Sequence, residues 1–127
     1  MEVMNMKVYI CEHCGNMVEL IQDKGVPMHC CGQPMTQLIP GTSDGAADKH
    51  VPVYTVNGSE VQVVVGSVEH PMVEVHHIEW IAVETANGIY RKSLQPGQPP
   101  KASFVLSEGE TVQSVYAYCN LHGLWKA

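Results

Sequence analysis

From Lys49 onward, apolar and polar residues alternate with a period of two, the pattern of half-buried β-strands. Val53-Tyr54-Thr55-Val56 and Val61-Gln62-Val63-Val64-Val65 flank Asn57-Gly58 and predict a hairpin closed by a loop slightly longer than that dipeptide. Val73 to Val83 reads as one long strand, with Val73, Val75, Ile81 and Val83 on one parity and His76, Ile78, Trp80 and Ala82 on the other. Ile89-Tyr90-Arg91 follows a second Asn-Gly, Ser103 to Leu106 is a short strand, and Val112 to Cys119 closes the series. Leu94-Gln95-Pro96-Gly97-Gln98-Pro99-Pro100 is a loop, because an interior strand cannot absorb such prolines without losing ladder hydrogen bonds. No helix of about ten residues is expected anywhere. Six or seven short strands at roughly ten-residue spacing predict an all-β fold, an antiparallel sandwich of immunoglobulin-like type, although the Cys…Trp…Cys hallmark is absent.

The segment before Pro40 follows different rules. It is too short to build a core of its own, since domains below about 40 residues need a metal, disulfides or a partner. Pro40-Gly41-Thr42-Ser43-Asp44-Gly45 is a run of turn formers after the apolar pair Leu38-Ile39. Two domains are therefore expected, residues 1–38 and 39–127.

Composition narrows the function classes. With 45% hydrophobic and 16% charged residues in 127, the chain is globular rather than disordered or fibrous. Seven Lys and Arg against thirteen Asp and Glu give a formal charge of −6, which argues against nucleic acid or an anionic membrane as partner. No stretch approaches the roughly 18 apolar residues of a membrane helix. The start MEVMNMKVYICEHC lacks the apolar run of about 7–15 residues of a secretory signal, so a cytoplasmic location is expected.

Four of the five cysteines lie between Cys11 and Cys31. Cys11-Glu12-His13-Cys14 and Cys30-Cys31 bring four thiols to a segment that burial alone cannot fold, and four thiolates suit a tetrahedral metal. In the C-x2-C turn, Gly15 can take a positive φ and free backbone N–H groups for the sulfurs. Adjacent cysteines diverge and must be bent to serve one metal, which predicts a distorted tetrahedron. Iron and zinc both fit such a site, and a structural zinc ribbon uses the same C-x2-C half. A vicinal disulfide is disfavoured in a reducing compartment.

His50, His70, His76, Cys119 and His122 form a second set of candidate donors, with Cys119-Asn120-Leu121-His122 supplying a C-x2-H pair at the end of the last strand. His50 opens the first strand of the larger domain, His70 precedes Pro71, and His76 lies on a strand face opposite His77. One thiolate among several imidazoles is a mixed set suited to redox or catalytic iron or copper. Five protein donors on an octahedral metal leave one position open, as a substrate site requires.

Cys11-x2-Cys14-x15-Cys30-Cys31, Asp48-Lys49-His50-Val51-Pro52-Val53, Glu69-His70-Pro71-Met72, His76-x3-Trp80-Ile81 and Tyr118-Cys119-Asn120-Leu121-His122-Gly123-Leu124-Trp125-Lys126 closely resemble desulfoferrodoxin, the two-iron superoxide reductase family. The resemblance spans almost the whole chain through several motifs in order. It implies a desulforedoxin-like N-terminal domain with a rubredoxin-type iron on Cys11, Cys14, Cys30 and Cys31, serving as an auxiliary electron store. It also implies an immunoglobulin-like catalytic domain with a square-pyramidal ferrous iron. Its equatorial ligands would be His50, His70, His76 and His122, and its axial thiolate Cys119.

The same resemblance gives Lys49 the task of attracting superoxide and helping to protonate the product. A lysine at that position matters in a chain of charge −6, since exposed charges beyond about 8–10 Å are largely screened. Asp48 stands where the family commonly has glutamate. One methylene shorter, it is expected to leave the oxidised iron to water or hydroxide rather than ligate it. His13 and His29 are read as surface side chains and His77 as structural or interfacial. Trp80, Tyr116 and Tyr118 are read as core or wall residues, and Met17, Met28 and Met35 as padding of the small domain.

The activity implied is reduction of superoxide to hydrogen peroxide, with rubredoxin or a similar carrier as electron donor and a homodimer as the assembly. An electron-transfer protein with no substrate of its own and a zinc-stabilised binding module are the competing classes. The open coordination position speaks against the first, and the mixed donor set against the second.

Overall fold

The computed structural model describes residues 5–43 and 45–127. Residues 1–4 of the expected first domain and Asp44 of the expected turn run lie outside the described residues. The chain divides into two compact units, Met1–Ile39 and Pro40–Ala127.

The first unit is built from five short strands, β1 (Val8–Ile10), β2 (Met17–Glu19), β3 (His29–Cys30), β4 (Gln33–Pro34) and β5 (Thr36–Gln37). β1 lies between β2 and β5 in an antiparallel sheet, and β3 pairs with β4 as a separate hairpin. Among its described residues only Val8 and Cys11 are fully buried apolar side chains. Burying one such side chain is worth about 1.5–3 kcal/mol, far less than the ordering of some forty residues costs. A Lys7–Asp23 ion pair at 2.7 Å lies on the surface and adds little.

The second unit opens with a four-residue helix, α1 (Ala47–His50), followed by β6 (Pro52–Asn57), β7 (Glu60–Val65), β8 (Ile78–Glu84), β9 (Ile89–Ser93), β10 (Lys101–Val105), β11 (Ser114–Cys119) and β12 (Gly123–Lys126). Two antiparallel sheets, ordered β10-β7-β6 and β12-β11-β8-β9, form a β-sandwich. The alternation of β7 sends Val61, Val63 and Val65 inward, where they meet Ile81, Val83, Phe104, Leu106, Val115 and Ala117. β11 lies between β8 and β12 and is buried along its whole length. A bulge between Tyr118 and Cys119, where the partner register jumps from Trp80 to Ile78, ends that ladder. Trp80 and Tyr118 stack with centroids 5.9 Å apart, and with Tyr116 they are buried, as expected of wall residues.

Four local expectations are corrected. The β6–β7 loop is only Gly58-Ser59, because Asn57 pairs with Glu60 and Gly58 takes φ 62°. The strand read from Val73 begins at Ile78. Val73 and His76 instead exchange both backbone hydrogen bonds, at 3.0 and 3.1 Å, and close a tight turn on themselves. Val73 and Val75 are 54% and 75% exposed, so their alternation reflects β-branched side chains rather than a buried face. His50 therefore ends α1 rather than opening a strand, and His76 belongs to a turn. Finally, Cys119 and His122 do not end the last strand: the chain turns through Asn120–His122 and returns as β12, pairing Cys119 with Gly123.

Candidate metal centres

In the first unit the Sγ atoms of Cys11, Cys14, Cys30 and Cys31 all lie within 4.8 Å of one another, and all five cysteines of the chain are free thiols. The C-x2-C half is a turn in which Gly15, at φ 81°, returns its N–H to the Cys11 carbonyl at 2.8 Å. That turn aims the Cys14 N–H at Cys11 Sγ (3.5 Å) and the Asn16 N–H at Cys14 Sγ (3.4 Å). The adjacent cysteines are reconciled by the β3–β4 hairpin. Its two-residue loop is Cys31-Gly32, with φ 54° and 76°, the double positive-φ pair of a type I′ turn. Cys30 ends a strand while Cys31 swings through the left-handed region, so both sulfurs face the same point, 3.9 Å apart. Cys14 and Cys30 Sγ are 3.6 Å apart. A tetrahedral metal with thiolate bonds of about 2.3 Å needs sulfurs about 3.8 Å apart, so the four residues fit one ion.

Without a cation these thiols cannot all ionise. The N–H groups around Cys11, Cys14 foremost, pull its thiol down to about 6. The hydrogen bonds of Cys31 with Cys14 and Cys30 push it up to about 12. His13 and His29 are exposed, and the His29 ring faces the Pro27 carbonyl at 3.4 Å rather than any sulfur.

In the second unit, His50, His76, Cys119 and His122 present donor atoms all within 4.8 Å of one another. His70 joins them through its Nε2, 3.2 Å from His50 Nε2. The five ligands arrive from four places in the chain: His50 from the end of α1, His70 from the loop after β7, His76 from the Val73–His76 turn, and Cys119 and His122 from the end of β11 and the turn into β12. The four rings pack edge to face around one point, neighbouring centroids 4.6 to 5.0 Å apart.

The tautomers follow from the carbonyls these rings face. His50 Nδ1–H donates to Ala46 O at 2.7 Å, and His70 Nδ1–H donates to Pro71 O at 2.6 Å. A carbonyl only accepts, so both protons sit on Nδ1. Burial holds His70 down at about 4 and lowers His50 and His76 as well, so these imidazoles stay neutral near neutral pH. The Nε2 lone pairs of His50 and His70 thus face each other at 3.2 Å with no proton between them. His50 Nε2 is also 3.1 Å from His122 Nδ1. His76 Nε2 is buried and has no hydrogen-bond partner among the described residues. Converging lone pairs and an orphaned ring nitrogen are repulsive alone and satisfied together by a cation. The donor set therefore fits a metal held by three Nε2 atoms, one Nδ1 and a sulfur.

Cys119 is fully buried, and burial pushes its thiol up while the N–H groups of Leu121 and His122 pull it down. Trp125, to which no role was assigned from sequence, stacks on His50 and donates its Nε1–H to His122 O at 3.0 Å. Lys49 and Asp48 are exposed on α1 beside His50, and the charge of Lys49 further depresses both His50 and His76 after larger effects of burial. The turn that carries them is held from below, with Val68 N–H and Ser67 Oγ donating to the Asp48 carbonyl at 2.8 and 3.1 Å.

Comparison with known proteins agrees with this architecture. Residues 42–127 match the desulfoferrodoxin family model, and residues 3–38 match that of the desulfoferrodoxin N-terminal domain. The chain is 47% identical to a desulfoferrodoxin of Nitratidesulfovibrio vulgaris, covering 95% of this chain and 94% of the relative. It is likewise 47% identical to a desulfoferrodoxin homolog of Archaeoglobus fulgidus, covering 96% of each. Its fold matches the superoxide reductase of Treponema pallidum with a TM-score of 0.82 and 33% identity, over 98% of this chain and 99% of that one. A one-iron superoxide reductase of Giardia intestinalis matches 63% of this chain and 95% of its own, with a TM-score of 0.54 and 34% identity. The four-cysteine cluster and the histidine–cysteine cluster are consistent with the two iron centres of this family. On these matches, the chain belongs to the desulfoferrodoxin family.

Proposed function

We propose that this chain is a superoxide reductase: superoxide takes up one electron and two protons and leaves as hydrogen peroxide, with no dioxygen evolved. The observation that carries this reading is the convergence of neutral imidazoles and one thiol on a buried point beside an exposed lysine. Ferrous iron held by His50, His70, His76, His122 and Cys119 would supply the electron.

The chain's own residues do the rest. The Ala46 and Pro71 carbonyls fix the tautomers of His50 and His70 and aim their Nε2 lone pairs inward. Lys49 provides local positive charge that draws a small anion toward a chain of formal charge −6, and it stands in solvent where it can pass a proton to the departing product. Asp48, too short to stand in for the family's glutamate, acts on that proton path through solvent.

Residues 1–38 act as the electron store, an iron domain on Cys11, Cys14, Cys30 and Cys31, and residues 39–127 as the catalytic sandwich. Rubredoxin or a similar small carrier returns the electron. The protein works in the cytoplasm as a homodimer, detoxifying superoxide, a reading supported by five cysteines that form no disulfide and by a first unit with few buried apolar side chains among its described residues. No described helix is long and apolar enough to cross a membrane.

Steady-state turnover with a reduced carrier and a superoxide source tests the reaction. One carrier electron consumed per superoxide, without dioxygen, is the expected result. Dioxygen released in step with peroxide would mean dismutation and overturn the proposal.

A further inference from the structure

Of the four rings at the histidine–thiolate centre, His76 is the one whose position its own hydrogen bonds do not explain. His50 and His70 are each tied to a carbonyl through Nδ1, and His122 has Trp125 Nε1–H on its carbonyl. Among the described residues the buried Nε2 of His76 has no hydrogen-bond partner. It sits in the Val73–His76 turn, whose Val73 and Val75 side chains are largely exposed and provide little packing to hold it.

The neighbouring turn supplies the missing restraint through Asn120, between Cys119 and His122. Its carboxamide acts as an extra peptide group: Oδ1 accepts the His77 N–H at 2.9 Å, and Nδ2 donates to the Val75 carbonyl at 3.1 Å. The Asn120 backbone N–H adds a third bond to the His77 carbonyl at 3.2 Å. These bonds grip the residues on both sides of His76, while the reciprocal pair between Val73 and His76 grips the turn from within. The bulge at Tyr118/Cys119 has ended the regular β8–β11 ladder just before this point, so the side chain continues by other means a pairing the strands no longer make.

We infer that Asn120 is a positioning residue that locks the His76 turn to the Cys119–His122 turn and so sets the distance between the His76 imidazole and the Cys119 sulfur. It touches neither substrate nor metal and acts through the backbone of Val75 and His77. The inference rests on the histidine–thiolate cluster being a metal centre. Loss of an outer partner that orients a ligand costs roughly 10- to 100-fold in metal affinity, and Asn120→Ala is expected to fall in that range. Asn120→Asp keeps the acceptor for His77 N–H, loses only the donor to Val75, and is expected to fall between wild type and Asn120→Ala.

The test is anaerobic titration of the metal-free full-length chain with Co(II), followed by absorption. The four-thiolate and imidazole–thiolate sites absorb differently, so the four-cysteine site is an internal control that should not change. Glu110→Gln, in the Thr85–Tyr90–Glu110 hydrogen-bond cluster just past the end of β8 opposite Ile78, serves as a control for general loss of stability. Weakened binding at the second site alone, in the order Asn120→Ala, Asn120→Asp, wild type, supports the clamp. Equal affinity in all three, or an equal loss in Glu110→Gln, overturns it. A wild-type chain that takes up Co(II) only at the four cysteines overturns the metal assignment and the clamp with it, so the two failures are distinguishable. If Asn120→Ala does not fold, Asn120→Asp alone decides, and unchanged binding there overturns the clamp.

Discussion

The indole of Trp125 stacks on the imidazole of His50 with ring centroids 5.0 Å apart and planes inclined by 27°, while its Nε1–H donates to the carbonyl of His122. One side chain from β12 thus braces two ligands of the histidine–thiolate centre. Trp125→Phe keeps the stack and removes the donor, so it should cost about 1 kcal/mol of stability and leave the iron content intact. Trp125→Leu removes the stack as well and should lower both stability and iron retention. Denaturant unfolding with iron analysis of each purified variant separates the two effects. Equal iron loss in both would show that the hydrogen bond to the His122 carbonyl, not the stack on His50, secures the centre.

Lys49→Ala takes the formal charge from −6 to −7 beside His50, where the lysine charge is already felt. The bimolecular reaction with superoxide should slow on the order of 10-fold, and its dependence on ionic strength should flatten. Rapid mixing at several salt concentrations measures both. Unchanged kinetics would return Lys49 to the status of an ordinary surface residue.

Gly66 packs under the turn that carries Asp48, Lys49 and His50. A Cβ there would lie 2.7 Å from the Asp48 carbonyl oxygen and 2.9 Å from that of Val51, both backbone atoms that cannot step aside alone. Gly66→Ala should therefore destabilise the second unit by about 1–3 kcal/mol and displace His50, with loss of iron from that centre only. Thermal unfolding and metal analysis check this. Retention of both irons at wild-type stability would show that α1 shifts freely.

The two units should respond differently to loss of metal. With only Val8 and Cys11 buried among its described apolar residues, the first unit has almost no core, whereas the sandwich keeps Val61, Ile81, Val115 and their neighbours. Removal of the metal from the four cysteines should abolish hydrogen-exchange protection in residues 5–39 and leave β7, β8 and β11 protected. Persistent protection of β1 in the metal-free chain would contradict this.

Glu110 accepts hydrogen bonds from Thr85 Oγ1 and Tyr90 OH, Thr85 having the larger effect, and they hold its carboxyl below the ordinary 4.5. The folded state thus releases this proton more readily than the unfolded chain. The stabilisation is present above about pH 4.5 and is lost as pH falls below it. The stability difference between wild type and Glu110→Gln should be largest above pH 5 and shrink on acidification, as denaturant midpoints across that range will show.

The donor sets and the sandwich were legible because both rest on strong local signals: the Cys-x2-Cys and Cys-x2-His spacings, and runs such as Val61-Gln62-Val63-Val64-Val65, whose alternation matches burial. What was misread lay where tertiary contacts override pattern. Val73 and Val75 mimic a strand although both face solvent. His50 closes a helix of four residues, too short to carry any period and held by hydrogen bonds to its Asp48 carbonyl from Ser67 and Val68. β12 begins immediately after His122, so its four residues read as a tail of the metal motif rather than a strand. The carboxamide of Asn120 could not be assigned a task while the segment it grips was read as a strand.

Stopped-flow mixing of the anaerobically reduced chain with superoxide tests the central claim most directly. The account predicts a bimolecular phase in which the visible band of the oxidised histidine–thiolate centre appears, ahead of any later phase in which that of the four-cysteine centre does. One hydrogen peroxide should form per superoxide consumed, and no dioxygen. Dioxygen evolution, or a histidine–thiolate centre that stays reduced while superoxide decays at its spontaneous rate, would contradict it.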